Sequence, residues 1–331
     1  MRPSGTLLLT RQQVSELLTL EDCIHAVEEA FCLYGSGKAA APGILGVHTD
    51  GGGFHIKTSF LDLNRRYFAL KVNGNFFNNS KLYGMPNIQG LIVLCDGVNG
   101  YPLAVMDSIE ITIQRTGAAT AVAAKYLARA NSSTVTICGC GNQGRVQLRA
   151  IAKVLPIRKA FAFDADPDRA THFAAEQSRA LGIEVAPAVD LGAAVQSSDI
   201  CIACTPSQRW IVDHKDVGPG TFIAGVGADN EHKQELHPKL LAANKVVVDL
   251  LDQCASIGDL HHAIAAGVAT RESVYAELGE IVAGRKPGRT SDDEITVFDS
   301  TGTALQDVAT AAMVYEKAVS AGIANALNFF A

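Results

Sequence analysis

The sequence predicts an α/β protein in which a Rossmann-type doubly wound parallel sheet is joined to a discontinuous α+β domain. Three observations carry this reading. From Thr134 onward, short β-branched runs alternate with helical stretches, the pattern of a parallel sheet with crossovers. The first of those runs flows through Gly139-Cys-Gly-Asn-Gln-Gly144 into a helix. Paired strand patterns precede it, and a long apolar helix follows the last strand. Residues 1–128 plus 304–331 are therefore expected to form one domain and residues 129–303 the other.

Taken in order, Thr19 can cap a helix from Leu20, with Asp22 at the capping-box position. Ile24, Val27, Phe31 and Tyr34 follow at helical spacing, and Gly35 stops the run. Gly53 to Asp62 and Tyr67 to Phe77 read as paired strands joined by Asn64-Arg65-Arg66. Leu91 to Asp96 and Tyr101 to Met106 form a hairpin, because Asn99-Gly100 is a strong reverse-turn signal. Ile109 to Ala130 reads as an alanine-rich helix carrying Arg115-Thr116 near its start. The sheet strands are expected at Thr134–Cys138, Lys159–Phe163, Glu184–Ala186, Ile200–Cys204, Thr221–Val226, Lys245–Asp249 and Ile295–Phe298. A last helix is expected from Ala304 to Asn328.

Each glycine of the triplet has a physical task in binding a dinucleotide. Gly139 allows the tight turn, Gly141 lets the backbone approach a pyrophosphate, and Gly144 lets helix and strand pack closely. The helix start at Asn142-Gln143 then offers free N–H groups and a positive dipole end to phosphate. Asp164 ends the second strand, twenty residues after Gly144. A carboxylate there bonds the ribose hydroxyls of NAD and repels the extra phosphate of NADP, so NAD is expected, with NADP as the alternative. The plainer role for Asp164 is a helix cap, since Asp166-Pro167 follows.

With 331 residues, 48% apolar and 19% charged, the chain suits two ordinary globular domains. A net charge of −6 without any basic run argues against a nucleic-acid partner. Leu7-Leu8-Leu9 is too short for a signal-peptide core, and no run reaches the ~20 apolar residues of a membrane span. A cytoplasmic protein with no membrane partner is expected. Cys201-x-x-Cys204 lies within a buried strand pattern, and no second Cys-x-x-Cys completes a zinc site. His261 and His262 are adjacent and cannot share one metal, so no metal site is expected.

Nicotinamide chemistry leaves the protein to place the substrate, neutralise its charge and move a proton. Lys71 is a charge inside an apolar strand, although an outward-facing lysine would look the same. Arg115 sits near a helix start, where the dipole disfavours a cation unless an anion is nearby; a plain surface arginine is the alternative. Asp229 follows the Thr221–Val226 strand at its carboxyl end and could also cap a turn. Thr205, after the Ile200–Cys204 strand, could line the nicotinamide pocket or cap a turn. Such sites are expected in the cleft beyond the carboxyl ends of the strands.

Together these residues resemble the ornithine cyclodeaminase/μ-crystallin family of NAD(P)-dependent enzymes. The similarity covers nearly the whole chain. It is carried by Lys71, Gly84-Met-Pro-Asn-Ile-Gln-Gly90, Asp96 to Pro102, Ile113-Gln-Arg-Thr-Gly-Ala-Ala119, the glycine triplet and Cys204-Thr-Pro-Ser207. Gly225-Val-Gly-Ala-Asp-Asn-Glu-His-Lys-Gln-Glu-Leu-His-Pro238 is its most specific part, and Phe298-Asp-Ser-Thr-Gly-Thr-Ala-Leu-Gln-Asp307 agrees as well. The resemblance implies a homodimer, with 1–128 plus 304–331 as substrate-binding and dimerisation domain and 129–303 as dinucleotide-binding domain. It implies that Lys71 and Arg115 grip the substrate carboxylate, that Asp229 handles the amine or imine nitrogen, and that Asn87 lies near the substrate. Cofactor contacts are implied for Gly139, Gly141, Asn142, Gln143, Gly144, Asp164, Thr205, Ser207 and the Ser300-Thr301-Gly302 turn.

Two departures shape the expected activity. The family usually carries an arginine in a Pro-x-Arg setting after the first helix, where this chain has Ala41-Pro-Gly-Ile-Leu-Gly-Val-His48. Lys57 could enter the pocket in its place. Glu231-His232 precede Lys233, where the cyclodeaminases have a glycine. Both features point to an NAD(P)H-dependent reductase of a small 2-imino acid, equivalently an amino-acid dehydrogenase, with iminosuccinate among the candidate substrates. The alternatives are an ornithine-type cyclodeaminase that recycles NAD and a μ-crystallin-like dinucleotide-regulated binding protein.

Overall fold

The computed structural model describes residues 5–323 and 325–329. The chain forms two compact units, Met1–Arg115 with Thr303–Ala331 and Thr116–Gly302. The division falls inside a helix, whereas the sequence reading put it at the helix end, between residues 128 and 129. Residues 1–4, 324, 330 and 331 of the expected first domain lie outside the described residues.

The first unit is a seven-stranded sheet covered on one face. Its elements are β1 (Thr6–Leu9), α1 (Arg11–Leu17), α2 (Leu20–Gly35), β2 (Gly43–Thr49), β3 (Gly52–Asp62), β4 (Arg66–Phe76), α3 (Asn79–Tyr83), β5 (Ile88–Asp96) and β6 (Pro102–Asp107). The start of α4 (Ile109–Leu127) follows, and the chain returns with α12 (Ala304–Ser320) and β17 (Ala326–Leu327). The strand order is β17-β1-β6-β5-β4-β3-β2, antiparallel except for the β1–β6 pair. Residues of β3 and β4 alternate between a buried and a half-exposed face, as period two requires. Helix α12 packs against β3 and β4, and α2 packs against α12.

Local signals explain most boundaries. The Thr19 hydroxyl accepts the Asp22 N–H, so α2 starts where the cap predicts. It stops through Ser36 and a left-handed Gly37 (φ 72°). Gly100 takes φ 76° in the β5–β6 turn, a conformation that asks for glycine. The Leu7–Leu9 run, weighed only as a leader core, is strand β1, which pairs with β6 and β17. The 41–48 segment, which lacks the arginine the family usually carries there, mostly falls in edge strand β2. Helix α4 ends at Leu127 rather than Ala130, because the Leu127 carbonyl accepts from Arg289 Nε (2.7 Å) and Thr296 Oγ1 (2.8 Å). The last helix ends at Ser320, short of Asn328. Gly322 turns left-handed (φ 66°), and the chain then pairs with β1.

The second unit begins in α4 and continues with β7 (Thr134–Cys138), α5 (Asn142–Val154), β8 (Lys159–Phe163), α6 (Pro167–Leu181), β9 (Glu184–Pro187), α7 (Leu191–Gln196), β10 (Ile200–Ala203) and β11 (Gln208–Val212). Next come β12 (Phe222–Gly225), β13 (Gln234–Leu236), α8 (Pro238–Ala243), β14 (Lys245–Val248), α9 (Leu251–Ile257), α10 (Asp259–Ala265), β15 (Ala276–Glu277), α11 (Leu278–Val282) and β16 (Thr296–Asp299). Eight of these strands form one all-parallel sheet in the order β15-β14-β16-β12-β10-β7-β8-β9. From β7 the order runs to β8 and β9 on one side and to β10 and β12 on the other, with β16 inserted between β12 and β14, so the switch point lies between β7 and β10. Strands β7, β10 and β12 are almost wholly buried, as continuous apolar runs in a parallel sheet must be. The short strands β11 and β13 pair separately and were not expected from the sequence. Among the described residues, no helix is long and apolar enough to cross a membrane.

Candidate active site

In the first unit the β3–β4 register sets Lys57 directly opposite Lys71. Both side chains lie on the covered face, with Lys57 8% and Lys71 3% exposed. Like charges opposite one another in a sheet repel, so an anion must be near. Helix α12 supplies it in its first turn. Asp307 Oδ2 lies 2.6 Å from Lys71 Nζ, and its Oδ1 lies 3.2 Å from Arg115 Nε. Arg115, on the second turn of α4, also donates from Nη1 to Gln306 Oε1 at 2.9 Å. On the same face of β4, Asn73 Oδ1 accepts from the Ser108 hydroxyl at 2.6 Å.

The charges do not balance. Burial pushes the Lys71 ammonium down to about 7; Arg115 and Lys57 push it the same way, and Asp307 opposes them. Burial alone would raise Asp307, yet Lys71 and then Arg115 hold its carboxyl below the usual range. The other buried charge described in this unit, Asp96, pairs with Arg65. Three buried cations thus surround one carboxylate, an arrangement that attracts a further anion. The structure brings together Lys57, Lys71 and Arg115, which the sequence singled out, and joins to them Asp307 and Gln306, which it did not. Their signal is an acid and an amide inside the otherwise small and apolar run Ala304–Ala312.

The second unit carries a glycine turn and helix start of the kind that can cradle a phosphate. Gly139 takes φ 102°, and a Cβ there would meet Cys204 O and Thr205 Cγ2, each at 2.9 Å. A Cβ on Gly144 would lie 2.1 Å from Gly139 O, so the helix approaches the turn as closely as a backbone can. At Gly141 the space is open, and this residue caps α5 without any side chain on the helix N–H groups. Asn142 and Gln143 form the first turn, and the Gln143 Oε1 is buried with no partner among the described residues. Asp164 accepts the Cys140 N–H at 2.9 Å and the Asp166 N–H at 3.0 Å, while the cap of α6 is Asp166. The carboxylate is thereby locked beside the glycine turn. Free helix N–H groups, an open glycine and a fixed acid are what a dinucleotide needs.

The remaining candidates sit at strand exits. The Thr205 hydroxyl donates to Glu235 Oε1 at 2.7 Å, and Ser207 N–H donates to Thr205 Oγ1 at 3.2 Å. The Ser300-Thr301-Gly302 turn follows β16 and is pinned by Asp249. That carboxylate accepts from the Ser300 hydroxyl at 2.9 Å and from Gly302 N–H at 2.7 Å. Asp229 lies on the loop after β12, half-exposed, with Lys233 Nζ 2.7 Å from Oδ1. Asn87 stands apart from the lysine cluster. Its Oδ1 accepts the Ser80 N–H at 2.9 Å, and it precedes β5 by one residue, whereas Lys71 pairs with Ile92. That separation is roughly 15 Å along a strand.

One more cluster, Asp213, His214 and His237, holds ligand-type atoms within 4.8 Å of one another. Its atoms have local partners: His214 Nδ1 lies 2.8 Å from Asp213 Oδ1, and His237 Nδ1 caps a helix by accepting the Lys239 N–H at 3.1 Å. Residues so far apart in sequence gave no signal before the fold joined them.

A model of the ornithine cyclodeaminase/mu-crystallin family matches residues 4–322. The chain belongs to this family. Among family members, the alanine dehydrogenase of Archaeoglobus fulgidus is 40% identical over 327 residues, covering 98% of this chain and 99% of the relative. An archaeal alanine dehydrogenase dimer with bound NAD superposes with TM-score 0.94 at 39% identity, covering 98% and 100% of the two chains. The Δ1-pyrroline-2-carboxylate reductase of Thermococcus litoralis, in complex with NADH and L-proline, gives 0.90 at 36% over 96% and 98%. The iminosuccinate reductase of Paracoccus denitrificans, in complex with NAD+, gives 0.91 at 31% over 98% and 100%.

Removing the anion tests the charge cluster. Asp307→Asn leaves Lys71 and Arg115 buried without their carboxylate and should destabilise the fold by about 3–5 kcal/mol in urea unfolding. A change within about 0.5 kcal/mol would show that the cations find another counter-charge.

Proposed function

We propose that this family member is an NADH-dependent reductase of a small 2-imino acid, equivalently an amino-acid dehydrogenase. The observation that carries the reading is the excess of buried cations at Lys57, Lys71 and Arg115 over Asp307. Such a pocket suits the carboxylate that every 2-imino acid carries. The relatives named above support the same class of chemistry, and the fixed Asp164 favours NAD over NADP.

The residues present fit the cofactor through the open Gly141, the uncapped start of α5 and Asp164. Gly139, Gly144, Asn142, Gln143, Thr205, Ser207, Thr301 and Gly302 complete the proposed contacts. When bound, the nicotinamide supplies or accepts the hydride. Lys71 and Arg115 would hold the substrate carboxylate. Asp229 would stabilise the positive charge of a protonated imine and orient its nitrogen. An ammonium lowered to about 7 can also give up or recover a proton near neutral pH, which suits Lys71 to proton transfer. Asn87 enters the proposal as a more distant contact, reached only by a larger substrate.

Lys57 extends the positive face beyond Lys71, so a second carboxylate can be met there. We expect the protein to oxidise NADH when ammonia is given with 2-oxo acids, with oxaloacetate favoured over pyruvate. Lys57→Met should lower kcat/KM for the oxaloacetate-derived imine roughly 10- to 100-fold, the loss of one charged hydrogen bond, and barely change pyruvate. Equal losses on both substrates would remove Lys57 from substrate selection. Ammonia release from ornithine without net NADH change would replace the reductase by a cyclodeaminase.

A homodimer in the cytoplasm belongs to the same proposal. All eight cysteines are free thiols, as suits a reducing compartment. The outer face of the first sheet exposes Leu45 (56%), Val47 (48%), Phe54 (43%), Phe60 (42%) and Leu91 (53%), an apolar surface that a second copy would cover. Phe60→Asp should convert a dimer to a monomer in light scattering after gel filtration. A dimer of parental stability would move the interface elsewhere.

A further inference from the structure

Two loops of the second unit carry proposed site residues: Thr205 follows β10, and Asp229 follows β12. One side chain ties them together. Glu235, on β13 and wholly buried, accepts the Thr205 hydroxyl on Oε1 at 2.7 Å and the Thr205 N–H on the same atom. Its Oε2 accepts the Gly227 N–H at 2.7 Å. The approach leaves no room for a side chain at position 227, where a Cβ would fall 2.6 Å from Oε2 and 2.2 Å from Thr205 O.

The consequences run outward from this carboxyl. Thr205 is held against the glycine turn, since a Cβ on Gly139 would touch it at 2.9 Å. Gly227 begins the loop to Asp229, and Glu235 itself ends that loop, two residues after the Lys233 that pairs with Asp229. The β13 backbone is fixed in turn: Asp259 Oδ1 accepts the Glu235 N–H at 2.8 Å and the Leu236 N–H at 2.9 Å. Asp259 is anchored through Asp299, whose Oδ1 and Oδ2 accept the Asp259 and Leu260 N–H groups. The chain of bonds thus reaches the end of β16, just before the Ser300-Thr301-Gly302 turn.

A carboxyl is an unfavourable choice for this place. Burial, and then the Asp259 carboxylate, push Glu235 up to about 8. An apolar side chain would fill the space without that penalty, but it could not bind three donors at once. We propose that Glu235 is a positioning residue that sets Thr205 against the cofactor turn and aims Asp229 at the substrate nitrogen. This rests on the reductase reading and on the role of Asp229 within it.

The test is steady-state kinetics of the full-length protein with NADH and the imine that the parent reduces fastest, with NADH affinity read from fluorescence. Glu235→Gln keeps the size but turns amide hydrogens toward backbone N–H groups. Its kcat should fall about 10- to 100-fold, as displaced catalytic groups cost, while KM and NADH affinity stay within about 3-fold. In an Asp229→Asn background the same change should cost less than about 3-fold, because the residue it positions is already disabled. A residue needed only for folding would add its full loss in both backgrounds, and that result overturns the proposal. So does Glu235→Gln at the parental kcat while Asp229→Asn is impaired. If Asp229→Asn itself runs at the parental rate, the Asp229 assignment falls and takes this inference with it. Should Glu235→Gln fail to fold, Gly227→Ala pushes the same contact apart without touching the acid. A folded Gly227→Ala with unaltered kcat overturns the proposal equally.

Discussion

On a sheet face shielded from water, the Asp307 carboxylate lies against the Lys71 ammonium and the Arg115 guanidinium, with Lys57 across the strand from Lys71. Without it, three cations would share a dry pocket, and leaving even one buried charge unpaired costs several kcal/mol. Yet one carboxylate cannot neutralise three cations. The unit therefore folds with residual positive charge, and the proposed binding of a substrate carboxylate rests on it. Burial first, and then Arg115 and Lys57, bring the Lys71 ammonium down to about 7, so the group proposed to hold the substrate can also exchange a proton near neutral pH. In the proposed reaction, binding and proton transfer would draw on the same cluster of buried charges.

In the second unit the decisive constraint is close backbone approach rather than charge. Gly139, Gly144 and Gly227 each lie where a Cβ would collide with backbone or carboxylate oxygen. These contacts bring the exits of β7, β10 and β12 to one edge of the sheet, the edge where open α/β sheets bind ligands. Gly141 differs, since it faces open space at the start of α5. A glycine with room around it, at a helix start with no capping side chain, leaves the N–H groups to a phosphate.

The fold was legible because its signals are local. Strands β7 and β8 lie at the residues their β-branched and aromatic runs indicate, and Asn99-Gly100 marks its turn correctly. Strands β1, β11 and β13 were among those not legible. β1 looked like a bare leucine triplet, and its place is set by β6 and β17, far away in sequence. The buried charge cluster was legible where a charge interrupts an apolar strand, as at Lys71. It was illegible where function depends on a partner distant in sequence: Asp307 reads as an ordinary first-turn acid, favoured by any helix dipole. Glu235 reads as a polar residue of a loop, and only its three donors reveal its work.

Residual positive charge around Lys71 should draw in an anion, and proton linkage on anion binding would reveal it. The NADH-loaded protein would be titrated calorimetrically with an unreactive dicarboxylate such as succinate, in buffers of differing ionisation enthalpy. A bound carboxylate stabilises the charged ammonium and raises its pKa, so binding at pH 8 should take up close to one proton per site. At pH 5.5, where Lys71 is already protonated, uptake from this group should vanish. Binding with no proton uptake at pH 8, or with uptake unchanged in Lys71→Met, would contradict the account.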